Sequence, residues 1–425
     1  MKNIKFPFWL FLAVATYIYG SWLVNNEHGN RYIWSDAEGY YLYLPAVFIH
    51  GTFENIPVRT KFEYQPYEET NKIFTRFTYG IALMQAPFWL LAHASRWVQR
   101  LPLNDPWGTD YCVAMLFAAS FYLSLGLHFF YKTVLRYFEN PFVAKATAFC
   151  LFLGTNLLHY AAKEPGMSHV YTFFLVSVLF YYLPNFYQKG ALKSFCLIGF
   201  LLALITLIRP TNGILYLFVL LFDIKSRKDL KNRWHWLFDH KQKLLVFPVL
   251  AFIIALPQMT YWYYLSGHFI VDSYKNTGAS FLYWQSPYVY EIFFSYCNGF
   301  LLYSPIMFFA LLGLLFMAWR DVLSSRLILF VFIVIAYLCA SWNCWWFGGA
   351  FGYRPFVDYY PLLGLGLAYY FNALFKKHWT LIGVNVLLFG VLIMINIRLI
   401  SFYFVQVEAD ESNAIEFWHS IQRCF

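Results

Sequence analysis

LKSFCLIGFLLALITLIRPTNGILYLFVLLFD, residues 192–223, decides the class of fold. The stretch is almost wholly apolar except for a polar interruption, RPTNG, at residues 209–213. Apolar runs that approach about twenty residues have the length that a helix needs to cross a bilayer. Because a proline removes a helical hydrogen bond, the interruption predicts a helix break within or near one membrane face.

The rest of the chain has a similar composition. Of its 425 residues, 60% are hydrophobic and only 12% are charged, and the mean hydropathy is +0.50. The charged share is about half that of a typical soluble domain, which excludes a soluble globular enzyme and a disordered protein. A membrane β-barrel would show alternating segments of about ten residues instead of continuous apolar runs. The sequence therefore predicts an all-α polytopic membrane protein with one integral membrane domain, residues 1–425.

We predict about eleven transmembrane helices. A further apolar segment, residues 77–95, is interrupted by Gly80, Gln85, Pro87 and His93, and is therefore predicted as a membrane-surface or re-entrant helix. The predicted spans cover residues 6–24, 110–131, 142–161, 169–187, 192–208, 211–223, 244–265, 300–319, 326–342, 357–375 and 380–400.

The basic residues predict the orientation of the chain. If the N-terminus is inside, more than half of the 31 Lys and Arg residues fall in inside segments, whereas acidic residues predominate outside. This distribution follows the positive-inside rule and favours an outer C-terminus. The basic segment 224–243 is then a cytoplasmic loop and a topology signal, not a nucleic-acid site. The outer face receives the long loop 25–109, whose surface helices we expect to carry function, and the tail 401–425.

The first outer loop opens with two closely spaced carboxylates. Asp36 and Glu38 lie two residues apart, and Ser35 or Asp36 would cap a helix that begins here. Asp36 would then lie at a helix N-terminus, where the helix dipole favours an anion. In such a helix Asp36 and Tyr40 share one face, and Glu38 points about 200° away from Asp36. The motif is either a site for proton transfer or a plain helix cap at the membrane surface.

A second polar cluster lies in the tight connection between the third and fourth predicted spans. Lys163, Glu164 and His169 occur within KEPGMSH, residues 163–169. Charged groups at the membrane edge cost free energy, so their presence there favours a functional role. The alternative is a solvated turn whose lysine reaches the interface. Adjacent Ser168 and His169 cannot easily act as nucleophile and base, so a hydrolase is not indicated.

Two arginines lie in apolar surroundings. Arg209 is either a partner for a phosphate or carboxylate or an interface anchor. The first is favoured because Pro210 and Gly213 break the helix and release backbone N–H groups for an anion. Arg354 precedes Asp358 by four residues, so its alternative role is an exposed ion pair that contributes about 0.5 kcal/mol at most.

The sequence contains no HExxH, GxxxxGK[ST] or GxGxxG motif and no metal-ligand spacing, so we expect neither a metal nor a nucleotide cofactor. Group transfer on the outer face would then use a donor that is already outside, such as a lipid-linked group. Two of the seven cysteines, Cys297 and Cys344, share the predicted outer side, where they are either free thiols or a disulfide.

Taken in order, these motifs resemble the GT-C membrane glycosyltransferases, the broad group of the protein O-mannosyltransferases and the aminoarabinose transferase of lipid A. DAEGY, residues 36–40, is similar to the Asp-Glu-x-x-Tyr motif of that superfamily, but it has Ala37 where the family often has a second acid. Residues 76–89 resemble its surface helix loosely, and residues 209–211 resemble its Thr-Arg/Lys-Pro turn. The likeness covers residues 6–375.

The resemblance implies an inverting glycosyltransferase that moves a sugar from a polyprenyl-phosphate donor to a glycan, lipid or protein acceptor. It implies a bacterial inner membrane, a site that faces the periplasm, contact with membrane lipid and no nucleic acid. The alternatives are a flippase or exporter of polyprenyl-linked glycans and an O-antigen ligase or polymerase. The acids that the resemblance implies are Asp36 as base, Glu164 as a second acid, and Glu38 in place of the missing one. The substrate-binding residues expected beside them are Arg209, Arg354, Arg76, Lys163, Tyr40 and His169.

Overall fold

A computed structural model describes residues 6–26, 33–57, 64–66, 71–274, 279–402 and 412–423 of the chain. The protein is nearly all-α, with 74% of its residues in helices. Parts of the predicted outer loop 25–109 and of the predicted tail 401–425 lie outside the described residues, and so do residues 1–5.

The helices follow one another with few long interruptions. The first ten are α1 (Phe6–Asn26), α2 (Asp36–Tyr41), α3 (Tyr43–Pro45), α4 (Gly80–Val98), α5 (Thr109–Phe138), α6 (Pro141–Leu153), α7 (Leu157–Ala162), α8 (His169–Lys189), α9 (Leu192–Ile208) and α10 (Ile214–Leu221). The remaining helices are α11 (Arg227–Asp239), α12 (Lys241–Leu244), α13 (Val246–Ser266), α14 (Val289–Phe294), α15 (Phe300–Tyr303), α16 (Ile306–Trp319), α17 (Ser325–Ala340), α18 (Tyr360–Leu374), α19 (Trp379–Phe402) and α20 (Ser412–Gln422). The 3₁₀ segments Pro210–Gly213 and Arg354–Tyr359 and the π-helical turn Ala46–His50 complete the helical structure that is described.

Each of the eleven predicted apolar segments coincides with one or two of these helices. Within the described residues, four helical stretches are both long and apolar enough to cross a membrane, and shorter apolar helices accompany them. The four are Thr109–Phe138, His169–Lys189, Lys241–Ser266 and Trp379–Phe402. The length and apolar character of these helices support the prediction that the chain is a membrane protein.

The helices pack closely around α5, which contacts α1, α4, α6 and α8. Helices α16 and α18 approach each other at Gly313 and Gly366. A Cβ atom on either glycine would overlap the backbone of the other helix. Small residues let two helix backbones come together, which is a common way of packing apolar helices in a membrane.

The described part of segment 25–109, the predicted outer loop, contains helices and a small hairpin. Most of segment 77–95 is helical, since α4 begins at Gly80, and its predicted position at the membrane surface stays a prediction. The sequence analysis did not predict β1 (Tyr64–Pro66) and β2 (Ile73–Thr75), which pair in antiparallel fashion. Helix α2 begins at Asp36 with Ser35 at the N-cap position, as predicted, but the Ser35 side chain makes no capping hydrogen bond. Ser35 instead has a positive φ of 50°, which is a strained backbone conformation.

The basic segment 224–243 is mostly helical, although the sequence analysis treated it as a loop. Ser226 and Asp229 form a capping box, in which each side chain accepts a hydrogen bond from the other residue's backbone N–H. A capping box is a strong start signal for a helix. Both residues of this start signal are present in the sequence.

Candidate functional site

An ion pair joins the start of α2 to the segment before α18. The Arg354 Nη2 atom lies 2.8 Å from Asp36 Oδ2, and the two side chains are only 13% and 20% exposed. The sequence suggested an ion pair between Arg354 and Asp358 as the alternative, and that prediction was wrong. Residues 354–359 form a 3₁₀ helix with three residues per turn, so residues four apart do not lie on one face.

Asp358 instead anchors the second arginine. Its Oδ2 atom accepts hydrogen bonds from Arg209 Nη1 at 3.2 Å and from Asn212 Nδ2 at 2.9 Å. Its Oδ1 atom lies 3.4 Å from His169 Nδ1, and the Tyr359 hydroxyl donates to Asn212 Oδ1 at 2.6 Å. The Asp358 side chain is 1% exposed. Because the carboxylate has three partners and no access to solvent, it holds Arg209 in one position.

The helix break predicted at residues 209–213 makes this arrangement possible. Arg209 has an extended backbone at the end of α9, and Pro210–Gly213 follow as a 3₁₀ turn before α10 begins. Arg209 and Asn212 therefore leave the helix on the same side and share one carboxylate. His169, which the sequence analysis expected to contact substrate, is 1% exposed and reaches Asp358 instead.

The two ion pairs lie close enough together to interact. The pKa of the Arg354 guanidinium is raised overall. Burial and the charge of Arg209 both lower this pKa, but the carboxylate of Asp36 and other nearby groups raise it by more. Arg354 is thus protonated and balanced by Asp36, beside a second fixed cation. The two guanidinium groups are 19% and 13% exposed, and each is paired with one carboxylate, so an anion that binds here would have to share or displace those carboxylates.

Glu164 borders the same centre. Its charge acts on Arg354 and on the buried Tyr160 hydroxyl. The Glu164 Oε1 atom lies 3.5 Å from His159 Nε2, and the His159 ring stacks on Phe351 with 4.9 Å between the ring centres. The sequence analysis missed His159, because a single histidine inside an apolar helix carries no motif.

Two tyrosines contribute to the walls of the site. Tyr40 packs against Phe77, with 4.4 Å between the ring centres. Burial raises the pKa of the Tyr40 hydroxyl, Arg209 opposes this and Asp36 adds to it, so the phenol stays protonated. Tyr274, in the loop after α13, was missed by the sequence analysis. Burial raises the pKa of its hydroxyl and Asp36 adds to the rise, so it belongs to the same cluster of charges.

The remaining predicted residues lie at different distances from the ion pairs. The Arg76 guanidinium lies 5.7 Å from the ring centre of Phe77, and its charge reaches Tyr274, which places it at the rim. The Lys163 Nζ atom instead lies 3.5 Å from the Ile400 carbonyl oxygen near the end of α19. Glu38 is fully buried on α2.

Within the described part of the chain, no group of three or more His, Cys, Asp and Glu residues is arranged to hold a metal ion. Cys297 and Cys344 are both free thiols. No family model matches the sequence, and no curated protein matches it significantly.

Proposed function

We propose that this protein is a membrane glycosyltransferase of the GT-C type. It transfers a sugar from a polyprenyl-phosphate donor to an acceptor on the outer face of the membrane, with inversion at the anomeric carbon. One observation carries the proposal: two arginines from separate segments are each paired with a carboxylate, and the two pairs are near enough for the charge of Arg209 to act on Arg354. Both arginines adjoin apolar helices, since Arg209 follows α9 and Arg354 precedes α18. A donor with a lipid tail and a phosphate matches both parts of that environment.

The two arginines have different roles in this proposal. Arg209 is immobilised by Asp358, so it offers a fixed guanidinium to the donor phosphate. Arg354 is paired with Asp36, and its own side chain is 13% exposed, so an anion that competes with Asp36 can reach the guanidinium. The donor phosphate takes Arg354 away from Asp36. Binding of the donor thereby releases the carboxylate that the reaction requires.

The proposed reaction is a single displacement. The acceptor hydroxyl attacks the anomeric carbon from the face opposite the phosphate, and Asp36 takes the hydroxyl proton. A bond forms between the acceptor oxygen and the anomeric carbon, and the bond from that carbon to the phosphate oxygen breaks. The leaving polyprenyl phosphate keeps the electron pair, and the guanidinium groups stabilise its growing charge. Asp36 then loses its proton to water.

The finer architecture belongs to the same proposal. We infer about eleven spans with the N-terminus inside and the C-terminus outside, in a bacterial inner membrane, with the site facing the periplasm. The support is that each predicted apolar segment coincides with one or two helices and that the inside segments carry most of the positive charge. A C-terminal reporter enzyme that is active only in the cytoplasm would contradict this orientation.

The first experiment measures binding of polyprenyl phosphate, the part that all such donors share. In purified protein, Arg209→Ala and Arg354→Ala should each raise the Kd. Loss of one charge-assisted contact costs about 1.5–3 kcal/mol, or about 10- to 150-fold in affinity. Arg136→Ala is a matched control. This arginine lies near the C-terminal end of α5 and donates a hydrogen bond to the carbonyl oxygen of Tyr181 on α8, so it takes no part in the two ion pairs.

The second experiment tests transfer itself. The parent protein in lipid vesicles is incubated with polyprenyl-phosphate-linked sugars that carry a radioactive label, together with envelope extract as the source of acceptor. Release of free polyprenyl phosphate with movement of the label to a new product supports the proposal. Movement of the intact labelled lipid across the bilayer without cleavage would replace it with a flippase.

A further inference from the structure

Helix α11, on the predicted inner face, has a side that is docked onto the rest of the protein. The Trp236 ring stacks on Phe195, with 5.6 Å between the ring centres and 6° between the planes. The Arg233 guanidinium lies 3.4 Å from the ring centre of Tyr187. These contacts fix the rotation of α11 about its own axis, so its opposite side has a defined orientation.

Large apolar side chains lie on the part of α11 that does not contact protein. Leu230, Trp234 and Phe238 are 41%, 57% and 68% exposed. Residues four apart are neighbours on a helix surface, so the three form one stripe, here called the apolar stripe. The Trp234 and Phe238 rings lie 6.5 Å apart, which shows that the stripe is continuous. A contiguous apolar surface of this kind is a contact surface for another molecule.

Positive charges lie next to the apolar stripe. Arg227, Lys228 and Lys231, here called the basic triplet, all have exposed side chains. Asp229, the acid among them, is engaged in the capping box with Ser226 and so does not neutralise them fully. A helix with an aromatic flank beside a basic flank is typical of helices that lie in the surface plane of an anionic membrane.

The position of α11 in the chain selects a membrane as the partner. Short connections join it to α10 on one side and, through α12, to α13 on the other, and both neighbours are apolar helices. Leu245, at the entry to α13, is a further exposed apolar side chain, at 64%. Since both ends are tethered to apolar helices, α11 stays close to the headgroups.

We propose that α11 is an interfacial helix that binds anionic phospholipid. The apolar stripe enters the boundary between headgroups and acyl chains, where Trp is favoured. The basic triplet binds the lipid phosphates. This binding site is independent of the outer site and of the proposed transfer reaction.

The test follows backbone hydrogen exchange of residues 230–238 in full-length protein. The protein is placed in nanodiscs of neutral phosphatidylcholine, with or without phosphatidylglycerol. Each basic residue near an anionic surface contributes about fivefold to binding, so phosphatidylglycerol should slow exchange by about tenfold or more. Arg227→Gln/Lys228→Gln/Lys231→Gln should abolish that difference.

A second charge variant and an apolar variant complete the test. Lys376→Gln/Lys377→Gln is the matched control, since it removes exposed charge from another predicted inside segment, and it should keep the lipid dependence. Trp234→Ser/Phe238→Ser should speed exchange in both lipids. Equal exchange of the parent in the two lipids overturns the proposal. Protection by inorganic phosphate alone, in neutral nanodiscs, also overturns it, because a soluble phosphoryl ligand would then be the partner.

Discussion

The ion pair between Arg354 and Asp36 leads to a prediction of unusual sign. If the donor phosphate competes with Asp36 for Arg354, then Asp36→Asn should tighten the binding of polyprenyl phosphate while it stops transfer. Arg354→Ala should weaken binding instead. The two partners of one ion pair would thus change affinity in opposite directions, which a merely structural pair would not do.

The size of the expected gain in affinity follows from how deeply the ion pair is buried. Exposed ion pairs contribute about 1 kcal/mol at most, and breaking a buried pair costs about 3–5 kcal/mol. At 2.8 Å, with side chains 13% and 20% exposed, this pair lies between those limits, and we take about 1.5–2 kcal/mol. The phosphate no longer has to displace Asp36 in the variant, so its affinity should rise by about 10- to 30-fold.

The assay is a titration of purified protein with polyprenyl phosphate, carried out as a double-mutant cycle. In the Arg354→Ala background, Asp36→Asn should change the Kd by less than about threefold, because most of its effect passes through Arg354. Glu38→Gln removes the same charge from the same helix and controls for net charge. Weaker binding in Asp36→Asn, or an equal gain in both backgrounds, would refute the competition.

Three further predictions concern the supports of the site and of the fold. Asp358→Asn weakens the anchor of Arg209 and should raise the Kd for polyprenyl phosphate by about tenfold, the cost of one charge-assisted contact, in the same titration. Gly313→Leu should lower the thermal unfolding temperature in detergent, because overpacking costs about 1–3 kcal/mol, whereas Gly383→Leu, with open space around it, should not. Glu164→Gln should slow single-turnover transfer by about tenfold, less than a loss of the base does, and an unchanged rate would remove Glu164 from the site.

The sequence predicted the helices well because hydropathy is a local property. The segments predicted at residues 169–187 and 192–208 correspond closely to α8 and α9. The break at Arg209 was predicted for the right reason, since Pro210 cannot continue a helix. Each of these features depends only on residues that are close together in the sequence.

The sequence could not predict which charges pair. Arg354 has Asp358 four positions away in the chain, yet it pairs with Asp36, which is more than 300 residues away. The choice depends on the 3₁₀ geometry after Tyr353 and on the close packing of distant helices. Tyr274 was missed for the same reason, because only the fold brings it to the other charges.

Asp36, and not Glu38, is predicted to be the general base, and the burial of the two side chains favours the same residue as their spacing does. Asp36 is partly exposed beside Arg354, whereas Glu38 is fully buried, so an acceptor hydroxyl can reach only the first. Removal of a general base costs about 100-fold or more, so Asp36→Asn should lose transfer even though it binds the lipid phosphate well. Single-turnover transfer from a labelled lipid donor separates these two effects, and Glu38→Gln should keep most of the parental rate. Near-parental turnover in Asp36→Asn, together with its loss in Glu38→Gln, would move the base by two residues.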